Sequence, residues 1–317
     1  MSRRDYMGAL IASCVSIFAY QTGFFFFLFL VPLQLLVFKS GLKVARIAVL
    51  GVGIALVYLG IRHTAQGTAD VRASLLMVEL VIPFLLLFGF LLENGFFGNL
   101  GGVLLNALLA TVITAVAGIA VLQILLGNEA FVAYYRAQFS EMFNILKSTV
   151  EASSNIDLVP MMDMDVDTML SHVSSVFYKG FLFAYFCILF VSYTFALSVD
   201  RLTKHEIGMI TVMIPDYFVW VLIASLSLVL VDARFQTAPV LGYVGWNIFL
   251  IVMFLYGLRG MGLIRQILEV RKVHPVMRFF ITFAALILLM HPRYGRVLLV
   301  GIPLIGVSEI WFKYKRT

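Results

Sequence analysis

Glu79 is the first residue of this sequence whose type and setting suggest chemistry. It lies inside the apolar run 74–92, with Pro83 one helical turn further on. An ionisable group at membrane depth costs about 2.5–3.5 kcal/mol on insertion scales, so such a residue faces a protein interior. There it could hold a ligand or a proton, with the Pro83 break freeing a backbone carbonyl. The plainer alternative is a carboxylate near the headgroups or paired with an arginine. Asn106 and Gln123 lie in the run 100–126, and Asn247 lies in the run 241–263. Amides in lipid commonly hydrogen-bond across helices. Glu79, Asn106 and Asn247 form the candidate ligand set. Glu309 could snorkel to the interface, and Asp216, behind Pro215, could cap a helix start.

No catalytic constellation accompanies them. His63, His172, His205, His274 and His291 all fall in or near loops, and no two stand at metal-ligand spacing. Neither a Gly-x-Ser-x-Gly elbow nor a His-Glu-x-x-His pair is present. Asp163, Asp165 and Asp167 alternate like the start of a calcium loop. Thr168 stands where that loop needs glycine, and Ser174 where it needs a bidentate Glu. Gly95, Gly98, Gly101 and Gly102 lead into a helix, but no Gly-Lys-Ser/Thr follows, so they read as a tight turn. An enzyme is not expected, nor a metal or other cofactor.

The elements that must position these residues follow from composition. Of 317 residues, 62% are hydrophobic and 13% charged, with a mean hydropathy of +1.01. Soluble domains are about 45–50% apolar and about 25% charged, so a cytosolic enzyme, a disordered chain and a disulfide scaffold are excluded. Cys14 and Cys187 both sit inside apolar runs. The runs lack the alternation of a barrel and open sheets cannot span a bilayer, which leaves helices. A span needs about 20 apolar residues. Such runs cover 7–38, 44–60, 74–92, 100–126, 174–199, 213–231 and 241–263, with shorter ones at 276–290 and 297–311 around His291-Pro292-Arg293. Residues 7–38 are too many for one span. Gln21 and Gly23 interrupt them and Pro32 bends the second half, giving either one long tilted helix with a re-entrant tail or a tight hairpin. The expected architecture is an all-α polytopic bundle of about 8–10 membrane segments. It divides into N-terminal helices (1–126), an extracytoplasmic amphipathic segment (127–173) and C-terminal helices (174–317), with no appended soluble domain.

Charge orients the bundle. The net charge of +6, which in a soluble protein would suggest nucleic acid, is distributed over loops. Residues 127–172 carry seven acids against two bases, a net −5, which suits the outer side. Residues 259–278 carry five bases against one acid, a net +4, which suits the cytoplasm together with the tail Lys313, Lys315 and Arg316. Arg3 and Arg4 resemble part of a twin-arginine signal, but no small-x-small cleavage site follows, and they read as a cytoplasmic flank.

Three surfaces suggest partners. Gly8, Ala12 and Ser16 recur every four residues, a small-residue stripe that admits a close-packed helix from a partner subunit or from the same chain. Phe131, Tyr135, Phe139, Met142, Phe143 and Leu146 share one helical face, which would cap a cavity or lie on lipid. Arg265, Arg271 and Lys272, interleaved with Leu263, Ile264, Ile267 and Leu268, suit anionic lipid or a partner.

The carboxyl-terminal third carries a resemblance. Residues Ile214-Pro215-Asp216-Tyr217-Phe218-Val219-Trp220, then Asn247, then Phe254-Leu255-Tyr256-Gly257-Leu258-Arg259-Gly260, then Gly306-Val307-Ser308-Glu309-Ile310-Trp311-Phe312 occur in that order. With Pro32-Leu33 and Gly41 earlier, this resembles the YybS-like family of uncharacterised bacterial inner-membrane proteins. Glu309 stands where that family has Asp, and Gly257-Leu258-Arg259 departs from its amide-bearing sequence. The resemblance implies a fold related to the S components of energy-coupling-factor transporters, which hold a small solute near the outer face. It also implies that Gly8, Ala12 and Ser16 dock a partner. The expected function is a solute-binding or transport subunit for a small organic molecule, working with an energising partner. The alternatives are a membrane scaffold or assembly factor and, last, an enzyme acting on lipid.

Overall fold

The structure is a computed structural model that describes residues 2–23, 25–64, 69–96, 102–153, 166–203, 214–235, 239–289, 291 and 294–311. Every regular element among them is helical, as a lipid solvent demands of a chain that must satisfy its own backbone. Two compact units result. One comprises Met1–Tyr178 with Ala184–Gly208, the other Lys179–Phe183 with Met209–Thr317.

The first unit opens with α1 (Arg3–Gln21), started by a capping box in which Ser2 and Asp5 exchange backbone-to-side-chain hydrogen bonds of 2.7 and 3.3 Å. The long apolar run does break where Gln21 and Gly23 stand. Gly23 takes φ +62°, open to glycine at no steric cost, and a short turn at Phe26–Leu28 follows. Pro32 does not bend a helix; it opens one, α2 (Val31–Ser40), where its missing N–H costs nothing. At 10 residues α2 is too short to cross a bilayer. Both helices pack on α3 (Leu42–Thr64). Next come α4 (Ala69–Leu91), which passes into a π-turn (Leu92–Phe96), and α5 (Val103–Leu126). The amphipathic α6 (Glu129–Ser153) packs on α4 and α5, and α7 (Val166–Thr203), apart from Lys179–Phe183, completes the unit. The core includes Phe29, Leu33, Val52, Leu86, Phe90 and Phe186, all fully or almost fully buried. Ile54 and Val116 are 72% and 67% exposed, as lipid-facing side chains are.

The second unit centres on α9 (Pro239–Val270), which packs on α8 (Phe218–Phe235) and α11 (Tyr294–Ser308); α10 (Pro275–Leu289) packs on both α9 and α11. Glycines line both seams of α9. A Cβ on Gly245 would meet Leu228, and one on Gly260 would meet the Ile302 carbonyl. Seen from the other side, a Cβ on Gly306 would meet the Tyr256 carbonyl. Without a hydrophobic drive in lipid, this backbone proximity supplies the packing.

Six helices among the described residues are long and apolar enough to cross a membrane: Leu42–Thr64, Leu75–Phe96, Val103–Leu125, Leu170–Thr203, Phe218–Phe235 and Val240–Val270. This is below the 8–10 segments expected. The last two runs form helices of 15 residues each, about 22 Å long against a hydrocarbon core of about 30 Å. Leu263, Ile264, Ile267 and Leu268 continue α9, which runs past Gly260 and Gly262 without a break. Gly98, Gly101, Asp163, Asp165, His205 and the basic tail lie outside the described residues.

Candidate functional site

A cleft of about 670 Å³ opens in the first unit where the C-terminal ends of α1 and α3 meet the N-terminal half of α4. Tyr20, Phe26, Gly60, His63 and Glu79 line it. Its geometry starts from Pro83. Proline has no N–H, so the carbonyl one turn back, that of Glu79, loses its helical partner. The Tyr20 hydroxyl donates to that carbonyl at 3.1 Å. The proline therefore ties α1 to α4 at the level of the carboxylate. The Glu79 side chain reaches His63 Nδ1 on α3 at 2.7 Å. Gly60 keeps the space open, since a Cβ there would stand 2.9 Å from Leu76 and 3.6 Å from Glu79 Oε2.

The pair is accessible, with the His63 side chain 60% and the Glu79 side chain 30% exposed. An exposed polar pair of this kind contributes about 0–1 kcal/mol to stability, so little of the local packing energy rests on it. Carboxylate, imidazole and phenol on an apolar floor suit a solute with an apolar body and hydrogen-bond donors or positive charge. The amphipathic α6 lies against α4, burying Phe131 and Phe143 while Tyr135 and Met142 stay exposed. Partial burial, then Tyr134 and the Glu79 carboxylate, push the Tyr135 hydroxyl above its ordinary value.

A family model described as "Predicted membrane protein (DUF2232)" matches residues 9–302. The chain belongs to the DUF2232 family. The match runs through both units and includes Glu79, Asn106 and Asn247, while Glu309 lies beyond it. No curated protein and no solved structure matches the chain.

The other candidate residues of this DUF2232 protein stand in separate places. Asn106, on α5, is buried with its Oδ1 unpartnered. Asn247, in the second unit, has its amide committed: Oδ1 accepts the N–H groups of Leu182 and Phe183 at 2.9 and 3.1 Å, and Nδ2 donates to the Tyr243 carbonyl at 2.8 Å. It fastens a stretch of α7 to α9. The small-residue stripe faces inward, for Ala12 and Ser16 are buried and a Cβ on Gly8 would meet Leu36 of α2 at 3.3 Å. Arg265 bonds Glu269 at 3.4 Å, and Glu269 also takes Arg278 at 2.8 Å. Arg271 and Lys272 are exposed in the turn after α9. Glu309 does not snorkel free; it accepts Arg259 Nε at 2.6 Å, while Arg259 Nη1 donates to the Ile214 carbonyl at 3.1 Å. Asp167 bonds Arg136 at 2.7 Å, and no group of three or more metal-ligating side chains occurs among the described residues.

Sequence reasoning passed over a second polar pair. Glu93 and Gln34 are 1% and 0% exposed, with Gln34 Nε2 donating to Glu93 Oε2 at 3.1 Å. Glu93 stands one residue past an apolar run and two before a glycine, which reads as loop. The π-turn instead carries it into the packed interior, and such turns concentrate at functional sites.

Proposed function

We propose that this DUF2232 protein is a solute-binding or transport subunit for a small organic molecule, acting with an energising membrane partner. The observation that carries the reading is the open cleft lined by the accessible, polar Glu79–His63 pair. The α6 helix against α4 supports it as a cover over one side of the site. The resemblance to the YybS-like family, and through it to S components, supports the reading of a solute site toward one end of a helical bundle. The same reading puts the protein in a bacterial inner membrane, with residues 127–172 outside and the carboxyl terminus in the cytoplasm, by the charge asymmetry of the loops. The inward-facing stripe at Gly8, Ala12 and Ser16 serves packing in this reading. The basic residues Arg265, Arg271 and Lys272 meet anionic headgroups or the partner.

Native mass spectrometry of the protein extracted in mild detergent tests this. The expected result is a small organic adduct that disappears in Glu79→Gln. Protein subunits without any adduct, unchanged by Glu79→Gln, would favour the scaffold reading instead.

A further inference from the structure

The Gln34–Glu93 pair is incomplete in a specific way. Gln34 Nε2 serves one carboxylate oxygen, while Glu93 Oε1 and Gln34 Oε1 are both buried without a partner. Both orphans are acceptors. In an apolar interior an unmet acceptor costs free energy, and an unpaired carboxylate costs far more. Among the described residues no cation bonds Glu93. Arg46 of α3 comes near the π-turn, with Nη2 3.4 Å from where a Gly95 Cβ would stand, but no ion pair joins it to Glu93. From α7, Tyr185 and Tyr193 are the titratable groups close enough to feel the Glu93 charge. Both are phenols, uncharged at neutral pH, and Tyr185 spends its proton on the Leu85 carbonyl at 2.6 Å. Asn106 of α5, which packs on the π-turn, adds another unpartnered acceptor oxygen and no charge.

One proton answers both orphans. A carboxylic acid is a donor on one oxygen and an acceptor on the other, and a primary amide presents the same two roles in reverse. The acid and amide can therefore close a ring of two hydrogen bonds, of which the N–H···O half is already formed. We propose that Glu93 and Gln34 form a buried proton site, in which Glu93 carries its proton on Oε1 and donates it to the Gln34 side-chain oxygen. The site binds the proton without a counter-ion. Any rearrangement that parts α2 from the π-turn, or admits water, releases it. That ties protonation to the conformation of the first unit. The inference stands whether or not the Glu79 cleft binds a solute.

Infrared spectroscopy of the intact protein in lipid tests it. The expected result at neutral pH is a carbonyl band of a protonated carboxylic acid, one per chain, lost in Glu93→Gln. Glu93→Gln is nearly isosteric with the protonated acid. Should it fail to fold, Gln34→Leu supplies the assignment, moving the band to higher frequency as the hydrogen bond is lost. Three results would overturn the proposal: only ionised carboxylate bands at neutral pH, an acid band that persists in Glu93→Gln, or an acid band that vanishes when sodium replaces choline at fixed pH. The last would mark an alkali-cation site.

Discussion

Glu309 and Glu93 are both carboxylates set among packed apolar helices, and their surroundings treat them oppositely. In the second unit Arg259 meets Glu309 at 2.6 Å and spends a further donor on the Ile214 carbonyl, so charge and hydrogen bonds close on each other. In the first unit Glu93 meets only an amide, and one oxygen on each partner stays unmet. Asn247 belongs with Glu309, its amide engaged on both sides, and Asn106 with Glu93, its oxygen unmet. The difference separates polar groups whose hydrogen bonds lock helices together from polar groups left with an unmet oxygen. Glu79, partly accessible and paired with a more exposed histidine, is a third case, turned outward to a cleft.

Changes in the locked unit are the ones expected to unfold it. Gly306→Val drives a side chain against the backbone of α9, which cannot step aside as a flexible side chain would. The expected loss is about 3 kcal/mol, the upper end of overpacking, read from thermal unfolding in detergent; an unchanged midpoint would mean the α9–α11 seam is looser than described. Arg259→Met strands Glu309, with an expected loss of about 2–3 kcal/mol. Adding Glu309→Leu recovers most of it, and failure of the double variant to recover would show that the pair does more than neutralise itself. Asn247→Leu removes the side-chain acceptor of two α7 N–H groups and the donor to the Tyr243 carbonyl, for about 1–2 kcal/mol. Hydrogen exchange should quicken at Leu182 and Phe183; full protection there would deny the amide its fastening role. Smallest in stability is Glu79→Gln, below about 1 kcal/mol because the pair is exposed. Under the proposed function its effect falls on ligand occupancy, and a large drop in the unfolding midpoint would move Glu79 into the locked class.

How far the sequence reached depends on what each residue's neighbours in the chain reveal. The helices over 44–60, 100–126 and 241–263 were legible because long apolar runs in lipid have one backbone solution. The break near Gly23 was legible from residue type. Glu79 was legible as a candidate because an acid inside an apolar run is conspicuous, and Pro83 pointed to the freed carbonyl. Its acceptor role for Tyr20 was not legible, since Tyr20 comes from another helix. Among the described residues six helices reach membrane length, and the remaining apolar runs form shorter helices. A terminal run such as 276–290 is apolar enough but too short, and apolarity is easier to read than the thickness it must match.

The sequence by itself determined the solvent, the helical class and where polar groups interrupt the apolar runs. These follow from composition and from local backbone chemistry, which act within a few residues. Only the tertiary structure decided which polar groups are spent and which are left over. The stripe of Gly8, Ala12 and Ser16 turned inward because α2 and α3 cover it. Asn247 became a fastener because α7 passes beside it. Glu93 became the buried acid because a π-turn rotates it toward Gln34, 59 residues earlier in the chain. Helical periodicity aligns residues along a face, but which neighbour covers that face is settled by packing between distant segments.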